Sequence, residues 1–279
     1  MERDATLREE LVELLGRSGA LHQPAVAAAL RAVPRHRFLP ELPLDEAYAD
    51  RAVAIKTRGE EVLSSVSQPG MLAQMLEMLD ARPGSNVLEI GTGSGYTAAL
   101  LAELCGPGGV VTTIDLDEEL VERARETLAL TGYARVRVRH ADGARASDGA
   151  VSYDRILVTA RSDDVASGWW DELARGGRLV VPLRLERAGE YAVGFIKNGD
   201  RLESVGVHPC AFIALRGDGA VEAPSDLFFR DPSQHDGAAC VRRVASVVGV
   251  RRTDATPQLL EEADVVIARP VTLFGVRFV

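Results

Sequence analysis

One segment near the middle of the chain constrains the fold most, because an apolar strand, a glycine turn and an apolar helix follow one another there without a gap. The run NVLEI passes directly into GTGSGY and then into TAALLAEL. Glycines let the backbone turn sharply, and they let a ligand approach the amino terminus of the next helix with no Cβ atom in the way. The segment therefore predicts the cofactor-binding turn of an α/β domain.

Strand-like and helix-like segments continue to alternate after this turn. The clearest helix is predicted from Asp117 to Leu130, with Leu120, Ala124 and Leu128 on one face and Gly132 as the stop signal. Apolar strands separated by helices indicate a parallel sheet covered on both faces, so we predict a doubly wound, Rossmann-like α/β fold. The predicted parallel strands are NVLEI, VVTTI, VRVRH, RILVTA and RLVVPL, and the predicted antiparallel edge strands are YAVGFIK and VHPCAFIALR.

The segment before this core has a different character. The spacing of leucine and valine predicts two helices within residues 7–33, with a break between Gly19 and Pro24. The proline-rich and charged stretch that follows, up to residue 62, lacks a sustained period and is predicted to be irregular. A further helix is predicted from Ser67 to Leu79, and on local grounds Ser67 is expected to cap it.

These changes of character divide the chain into three predicted parts. Residues 1–78 form an amino-terminal helical and substrate-loop region, residues 79–216 form the core, and residues 217–279 form a carboxy-terminal extension. The extension is predicted to hold a helix around Ala238 to Val248 and the strands VVIA and TLFGVRFV. Its sequence predicts no role.

Composition limits the class of protein and of partner. The 279 residues are 46% hydrophobic and 26% charged, which is typical of a globular protein. The net charge of -9 would repel nucleic acid. The three cysteines lie far apart, and no apolar run approaches the roughly 18 residues of a membrane-spanning helix. We therefore expect a cytoplasmic protein, a monomer, that binds neither nucleic acid nor membrane.

The spacing of the glycine turn distinguishes between two classes of cofactor. A dinucleotide fingerprint places its third glycine where this chain has Tyr96, so GxGxG weakens the hypothesis of a nicotinamide oxidoreductase. Glu89, two residues before the first glycine, would repel a pyrophosphate but attract a cationic amino-acid group. That pattern is typical of methyltransferases that use S-adenosyl-L-methionine. A turn without any ligand is the third alternative.

Two aspartates at the ends of later strands fit the same hypothesis. Asp115 follows the second strand about twenty residues after the turn, where a carboxylate can accept hydrogen bonds from ribose hydroxyls. Asp142 follows the third strand, where a carboxylate can accept from an adenine amine while Gly143 leaves room for the ring. Either aspartate alone would be explained as a turn or cap residue. Together with Glu89, they favour a cofactor site.

Residues 25–216 resemble the protein-L-isoaspartate O-methyltransferases. The glycine turn alone indicates only the cofactor, whereas the segments on either side of it are specific to that family. The segments that carry the resemblance are VPRHRFLP, AYAD, SVSQPGMLAQML, VLEIGTGSGYTAALLA, HADG, YDRILVTA and LARGGRLVVP.

The resemblance implies a protein or peptide substrate and assigns roles to individual residues. Ser67 would lie beside the substrate carboxylate and orient it, helped by Ser65 or Thr159. The residues expected to hold S-adenosyl-L-methionine are Glu89, Gly91, Thr92, Gly93, Gly95, Tyr96, Asp115, Leu116, Asp142, Gly143 and Thr159. The residues expected to contact the substrate are Ser67, Gln68, Lys56, Ala160 and Arg161.

The chain departs from the family pattern on the substrate side. The loop before Ser67 is longer than usual and carries Lys56 and Arg58, while Arg161 and Ser162 follow Thr159. Leu183 and Arg184 replace the family's usual Val-Gly. Added cations could help to bind an anionic group, although charged loops are more often simply solvated.

The extra carboxy-terminal segment suggests an alternative within the same chemistry. Extended relatives resemble methyltransferases that tailor ribosomally made peptides, such as lanthipeptides, lasso peptides or graspetides, by methylating an aspartate that then closes to an aspartimide. A non-catalytic, cofactor-binding adaptor remains a more remote alternative. No metal site is predicted, because the five histidines show no ligand spacing.

Overall fold

The computed structural model describes residues 2–145, 151–185, 189–217, 248–250 and 265–268. By its internal contacts the chain divides into two compact units, Met1–Ala141 and Asp142–Val279. The three predicted parts, with boundaries after residues 78 and 216, remain predictions.

Four helices form the amino-terminal part of the first unit: α1 (Glu2–Ser18), α2 (Pro24–Ala32), α3 (Leu44–Ala47) and α4 (Pro69–Leu79). The break that Gly19 and Pro24 predict is confirmed, since Gly19 has a φ of 76° and Pro24 begins α2. The helix predicted up to Leu79 is also confirmed, but Ser67 does not cap it. Gln68 occupies the N-cap position and makes no side-chain capping bond.

A β-hairpin replaces part of the stretch that we predicted to be irregular. Its strands, β1 (Val53–Arg58) and β2 (Glu61–Val66), pair antiparallel, with Arg58 opposite Glu61 and Val53 opposite Val66. Gly59 opens the two-residue turn with a φ of 61°, which glycine adopts readily. The prediction failed because Val53 and Val66 are the only buried residues of the hairpin, so the pattern of alternation is weak.

Three parallel strands follow in the first unit, in the order β3, β4, β5. They are β3 (Asn86–Ile90), β4 (Val110–Asp115) and β5 (Arg137–His140), as predicted. Helix α5 (Tyr96–Cys105) packs against β3 and β4, and α6 (Glu118–Leu130) packs against β4 and β5. Asp117 caps α6 through the amide of Leu120, and Gly132 ends it with a φ of 91°, so this predicted helix is confirmed.

After a short 3₁₀ helix, Gly143–Arg145, the second unit contains β6 (Tyr153–Val158), α7 (Ser167–Glu172) and β7 (Leu173–Leu185). Strands β6 and β7 pair parallel. Strands β8 (Gly189–Asn198) and β9 (Arg201–Pro209) then add antiparallel neighbours. The second antiparallel strand therefore lies earlier than predicted. The prediction failed because the buried residues of β9, Leu202 and Val207, do not alternate with exposed ones at the period of two that marks a strand.

The extension contributes two short strands to the edge of this unit. Strand β11 (Val265–Ala268), the predicted VVIA segment, pairs antiparallel with β9, and β10 (Val248–Val250) pairs with β11. The helix predicted from around Ala238 to Val248 lies outside the described residues, apart from Val248, which is the first residue of β10. The predicted strand TLFGVRFV also lies outside them. Within the described part of the chain, no helix is both long and apolar enough to cross a lipid bilayer.

Candidate active site

The glycine turn joins β3 to α5 and is held by its backbone to the end of β4. The amide of Gly91 donates to the carbonyl of Ile114 over 2.8 Å, and the amide of Thr92 donates to the same oxygen over 3.2 Å. Thr92 also shares a 2.8 Å side-chain hydrogen bond with Thr113. These hydrogen bonds to β4 hold the glycine turn in place without any contribution from a ligand.

Gly95 is required for helix packing as well as for the turn. It has a φ of 85° and forms the N-cap of α5. A Cβ atom at this position would lie 3.1 Å from the Cγ of Leu128 on α6. Tyr96, the next residue, is only 2% exposed and its ring packs against Phe38, so any cofactor contact it makes must come from its backbone.

Asp115 organises the turn with both of its carboxylate oxygens. Oδ2 accepts the amide of Gly93 over 3.0 Å, and Oδ1 accepts the amide of Asp117 over 3.1 Å. Each carboxylate oxygen has a further lone pair with which it can accept from a hydroxyl. The next residue, Leu116, is 39% exposed.

Glu89 is fully buried at the carboxyl end of β3. Within the described part of the chain, neither carboxylate oxygen accepts a hydrogen bond. Burial raises the pKa of Glu89 to about 8; Thr113 and Thr97 lie near enough to lower this pKa in part, while the charge of Asp115 raises it further. Glu89 is thus a buried acid that a cationic ligand would ionise.

The segment that carries Ser67 is held at the amino terminus of α4. Ser67 itself is half-buried. The carboxylate of Asp50 accepts the amide of Gly70 over 2.7 Å and the side-chain amide of Gln68 over 3.1 Å. Asp50 therefore satisfies a free amide at the helix start, the role that we had expected of Ser67.

The β1–β2 hairpin lies beside the glycine turn. A Cβ atom on Gly93 would lie 3.8 Å from the Cδ1 of Ile55 and from the Oγ of Ser64, and 3.9 Å from the carbonyl oxygen of Ser65. Lys56 fastens the hairpin to the start of α6, because its Nζ lies 2.7 Å from both the Asp117 and the Glu119 carboxylates. The structure thus brings the hairpin, Asp115 and the glycine turn together within the first unit.

The second unit holds Asp142 and Gly143 directly after its boundary. Oδ1 of Asp142 accepts the amide of Ala144 over 2.9 Å. The buried Gly143 accepts the indole N–H of Trp169 over 2.7 Å. Gly217 has a φ of 91°, and a Cβ atom there would lie 2.5 Å from Oδ2 of Asp142, so a larger residue would be strained and would displace the Asp142 carboxylate.

Thr159, Ala160 and Arg161 follow β6 and are half-buried. The backbone of Arg161 pairs with the later segment, donating to Ile213 over 2.8 Å and accepting from Leu215 over 2.7 Å. Its guanidinium lies 2.7 Å from the Glu190 carboxylate.

All four of the cations that depart from the family pattern have a carboxylate partner. Lys56 and Arg161 form the ion pairs described above. Arg58 pairs with Glu61 over 2.7 Å, and Arg184 pairs with Asp163 over 2.8 Å. A role in substrate binding for Lys56 or Arg161 stays a prediction. Either side chain would have to leave its carboxylate partner in order to contact a substrate carboxylate.

Comparison with known proteins decides the family. A model of the family described as protein-L-isoaspartate(D-aspartate) O-methyltransferase matches residues 6–219. The chain belongs to this family.

Relatives within the isoaspartate methyltransferase family match most of the chain. The protein-L-isoaspartate O-methyltransferase of Methanopyrus kandleri is 41% identical over 221 residues, which cover 78% of this chain and 94% of that protein. The one from Ignicoccus hospitalis is 38% identical and covers 75% of this chain and 96% of its own. A solved protein-L-isoaspartate O-methyltransferase superposes with a TM-score of 0.69 at 31% identity, covering 76% of this chain and 67% of that one.

The fold prediction is confirmed by these matches: the α/β fold is the Rossmann-like fold of class I methyltransferases. A structure of a putative family member from Plasmodium falciparum, in complex with S-adenosyl-L-homocysteine, supports the same fold with a TM-score of 0.66 at 21% identity. It covers 75% of this chain and 98% of its own.

Sequence reasoning missed two residues that organise the Ser67 segment. Asp50 lies in AYAD and Arg35 lies in VPRHRFLP, two segments that carried the resemblance to the isoaspartate methyltransferase family without a role for either side chain. Arg35 donates to the carbonyl of Ser67 over 3.0 Å and is fully buried. The sequence signal was a charged residue within each of these segments, and that signal does not identify the partner of the side chain.

Proposed function

We propose that this protein transfers a methyl group from S-adenosyl-L-methionine to the carboxylate of an L-isoaspartyl residue in a protein or peptide. Membership of the isoaspartate methyltransferase family, with a match over residues 6–219, is the observation that carries this proposal. The glycine turn between β3 and α5 and the buried acid beside it support the choice of cofactor.

The residues of the first unit fit a cationic cofactor. Glu89 is buried without a hydrogen-bond partner among the described residues, so it gains most from a ligand that brings positive charge. We propose that Glu89 attracts the cationic methionine part, that Asp115 accepts from the ribose hydroxyls, and that Asp142 and Gly143 contact the adenine. When bound, S-adenosyl-L-methionine supplies a methyl group on a positively charged sulfur.

The substrate carboxylate needs orientation more than proton transfer. A carboxyl group with a pKa of about 4 is already ionised at neutral pH, so no general base is required. We propose that the Ser67 hydroxyl donates a hydrogen bond to one carboxylate oxygen and leaves the other free to attack. Ser65 and Thr159 are proposed to assist. Holding the reacting atoms within about 3 to 3.5 Å can contribute several kcal/mol by positioning alone.

The methyl ester has a consequence that needs no further catalysis. The neighbouring backbone nitrogen attacks the ester carbonyl, its proton is lost, and methanol leaves as the succinimide ring closes. Methoxide leaves a carbonyl far more readily than an oxide dianion would. We therefore propose that the methylated product closes to a succinimide in solution, without further action of the enzyme.

Replacement of Ser67 by alanine tests the catalytic assignment. Loss of the hydroxyl should lower kcat about 10- to 100-fold, because the carboxylate is no longer oriented. The measurement is release of S-adenosyl-L-homocysteine with an isoaspartyl peptide. Ser18→Ala, a change at an exposed serine of α1, serves as the matched control. Full activity of Ser67→Ala on every peptide tested would reject the role of Ser67.

A pair of peptides that differ only in isoaspartyl or aspartyl linkage tests the substrate class. We expect methylation of the isoaspartyl peptide alone, detected by mass spectrometry as a gain of one methyl group. Methylation of the aspartyl peptide would instead support the tailoring alternative, which the comparisons do not favour. Binding of S-adenosyl-L-methionine without turnover of either peptide would support the adaptor. A cytoplasmic, monomeric protein that binds neither nucleic acid nor membrane stays a prediction.

A further inference from the structure

Arg35 is a buried cation whose hydrogen bonds go to backbone carbonyls. It begins a short 3₁₀ helix, Arg35–Phe38, and its exposed fraction is 0%. Nε donates to the carbonyl of Ala47 over 3.0 Å, and Nη2 donates to the carbonyl of Ser67 over the same distance. Among the described residues, no carboxylate lies within ion-pair distance of its guanidinium. Burial lowers the pKa of Arg35, while Tyr96 and, less strongly, Asp50 favour the charged form.

The same guanidinium touches the helix that follows the glycine turn. Its central carbon lies 4.9 Å from the centre of the Tyr96 ring. Tyr96 is the first residue of α5, directly after Gly95. Cations positioned over an aromatic ring in this way are attracted by the negative face of the ring. Arg35 therefore contacts both the backbone of Ser67 and the first side chain after the glycine turn.

Stability alone explains this arrangement poorly. Removing a charge from water is costly unless it is paired, and carbonyl dipoles compensate for that cost less than a carboxylate does. An apolar side chain at residue 35 would avoid the cost. Departures from such local rules are expected at functional sites.

We propose that Arg35 is a positioning residue for methyl transfer, which fixes the backbone of Ser67 relative to the start of α5. This inference rests on the proposed function. Arg35 acts through Ser67, since its hydrogen bond is to the carbonyl oxygen and leaves the Ser67 hydroxyl available for the substrate. Loss of the guanidinium should impair the chemical step and leave the binding of S-adenosyl-L-methionine largely unchanged.

A double-mutant cycle tests this coupling. Arg35→Lys keeps the positive charge but loses the planar guanidinium, whose several N–H groups donate to more than one carbonyl at once. We expect it to lower kcat about tenfold in the wild-type background and less than about twofold in the Ser67→Ala background, because coupled residues are not additive. The KM of the isoaspartyl peptide and the dissociation constant of S-adenosyl-L-methionine should each stay within about twofold. Arg37→Lys, at an exposed arginine of the same segment, is the control.

The outcomes separate this inference from the proposed function. A wild-type protein that never methylates the peptide rejects the function and the inference together. An active wild type with an impaired Ser67→Ala upholds the function. If the function is upheld, two results overturn the inference. One is that Arg35→Lys lowers kcat equally in the wild-type and Ser67→Ala proteins, and the other is that it does not lower kcat at all. If Arg35→Lys does not fold, Arg35→Gln replaces it in the cycle. Failure of both to fold assigns Arg35 to stability and overturns the inference.

Discussion

The buried carboxyl group of Glu89 couples protonation to stability and, in the role that we propose for it, to binding of the cofactor. Its pKa rises from an ordinary 4.5 to about 8 in the folded protein, first because it is buried. The folded state therefore holds the proton more tightly than the unfolded state does. Stability from this group is fully present below about pH 4.5 and is lost as the pH rises towards 8.

Glu89→Gln should remove this dependence. The free energy of unfolding of the variant should fall less than that of the wild type between pH 5 and about 8, because the amide does not titrate. Its affinity for S-adenosyl-L-methionine should be lower, and should rise less with pH, since the neutral amide offers no charge to the cation. Chemical denaturation and calorimetry across this range give both quantities.

Glu60→Gln, at an exposed glutamate of the hairpin turn, is the matched control for Glu89. Parallel pH profiles for wild type and Glu89→Gln would show that the buried acid does not titrate in this range.

Motifs predicted residues whose role depends on local order, but not those whose role depends on distant contacts. Glu89, Asp115 and the glycines could be proposed from the sequence because each stands at a fixed interval from the ends of two successive strands, β3 and β4. Arg35 and Asp50 could not, because their partners lie 32 and 20 residues away along the chain. No periodic pattern connects such positions before the chain has folded.

Helices α5 and α6 meet at the glycine turn, and Gly95 sets how closely they approach. Alanine at Gly95 would carry strain from a φ of 85° and would place a methyl group 3.1 Å from Leu128. Alanine at Gly132, with a φ of 91° and open space around it, would carry the backbone strain alone. The two positions therefore separate strain from crowding.

We expect Gly132→Ala to cost about 1 kcal/mol and Gly95→Ala to cost about 1 to 3 kcal/mol more, because overpacking adds to the strain. Urea unfolding of both variants measures the difference. Equal losses of stability would show that α6 moves aside at no cost.

The β1–β2 hairpin is fixed to the start of α6 by Lys56. Replacing Lys56 with methionine keeps an unbranched side chain, shorter by one atom, but removes both ion pairs, so the hairpin amides should exchange hydrogen faster. Amides of β3 and β4 should exchange at unchanged rates, because these strands are buried parallel neighbours.

Arg58→Met, which removes the ion pair to Glu61 within the hairpin itself, is the control for this exchange experiment. Unchanged protection in Lys56→Met would show that packing of Ile55 near Gly93 suffices to hold the hairpin.

Strong hydrophobic patterns predicted the strands of the core. Weak patterns did not predict the β1–β2 hairpin and placed β9 too late in the chain. Strands β3 and β4 are almost entirely buried, and their sequences are rich in apolar and β-branched residues. The hairpin and β9 instead alternate weakly, and their positions depend on turns at Gly59 and Gly199, both of which have a positive φ. Turn geometry, rather than hydrophobic periodicity, locates these strands.

At the scale of the whole molecule, the family match ends where the extension begins. The family model stops at residue 219, and the relative from Methanopyrus kandleri is covered over 94% of its length. A chain ending at Gly219 should therefore still methylate an isoaspartyl peptide, with an affinity for S-adenosyl-L-methionine within about threefold of the full chain.

The same truncation removes β11, so residues 201–203 of β9 keep β8 on one side and have no strand on the other. An uncovered strand edge promotes association, so the shortened protein should aggregate at lower concentration than the full chain, as light scattering would detect. Loss of cofactor binding on truncation would instead assign the extension a direct role at the site.

A single nitrogen of Arg35 lies 3.5 Å from the carbonyl oxygen of Arg51 and 3.0 Å from that of Ser67. The two residues that flank the hairpin, Arg51 and Ser67, therefore both contact the same guanidinium nitrogen. Insertions and deletions between them can change the length of the hairpin and the side chains it presents, while the backbone of Ser67 keeps its place. Under the substrate-binding role that we predict for Lys56 of the hairpin, selectivity can change in this way without displacing the serine that we propose to orient the carboxylate.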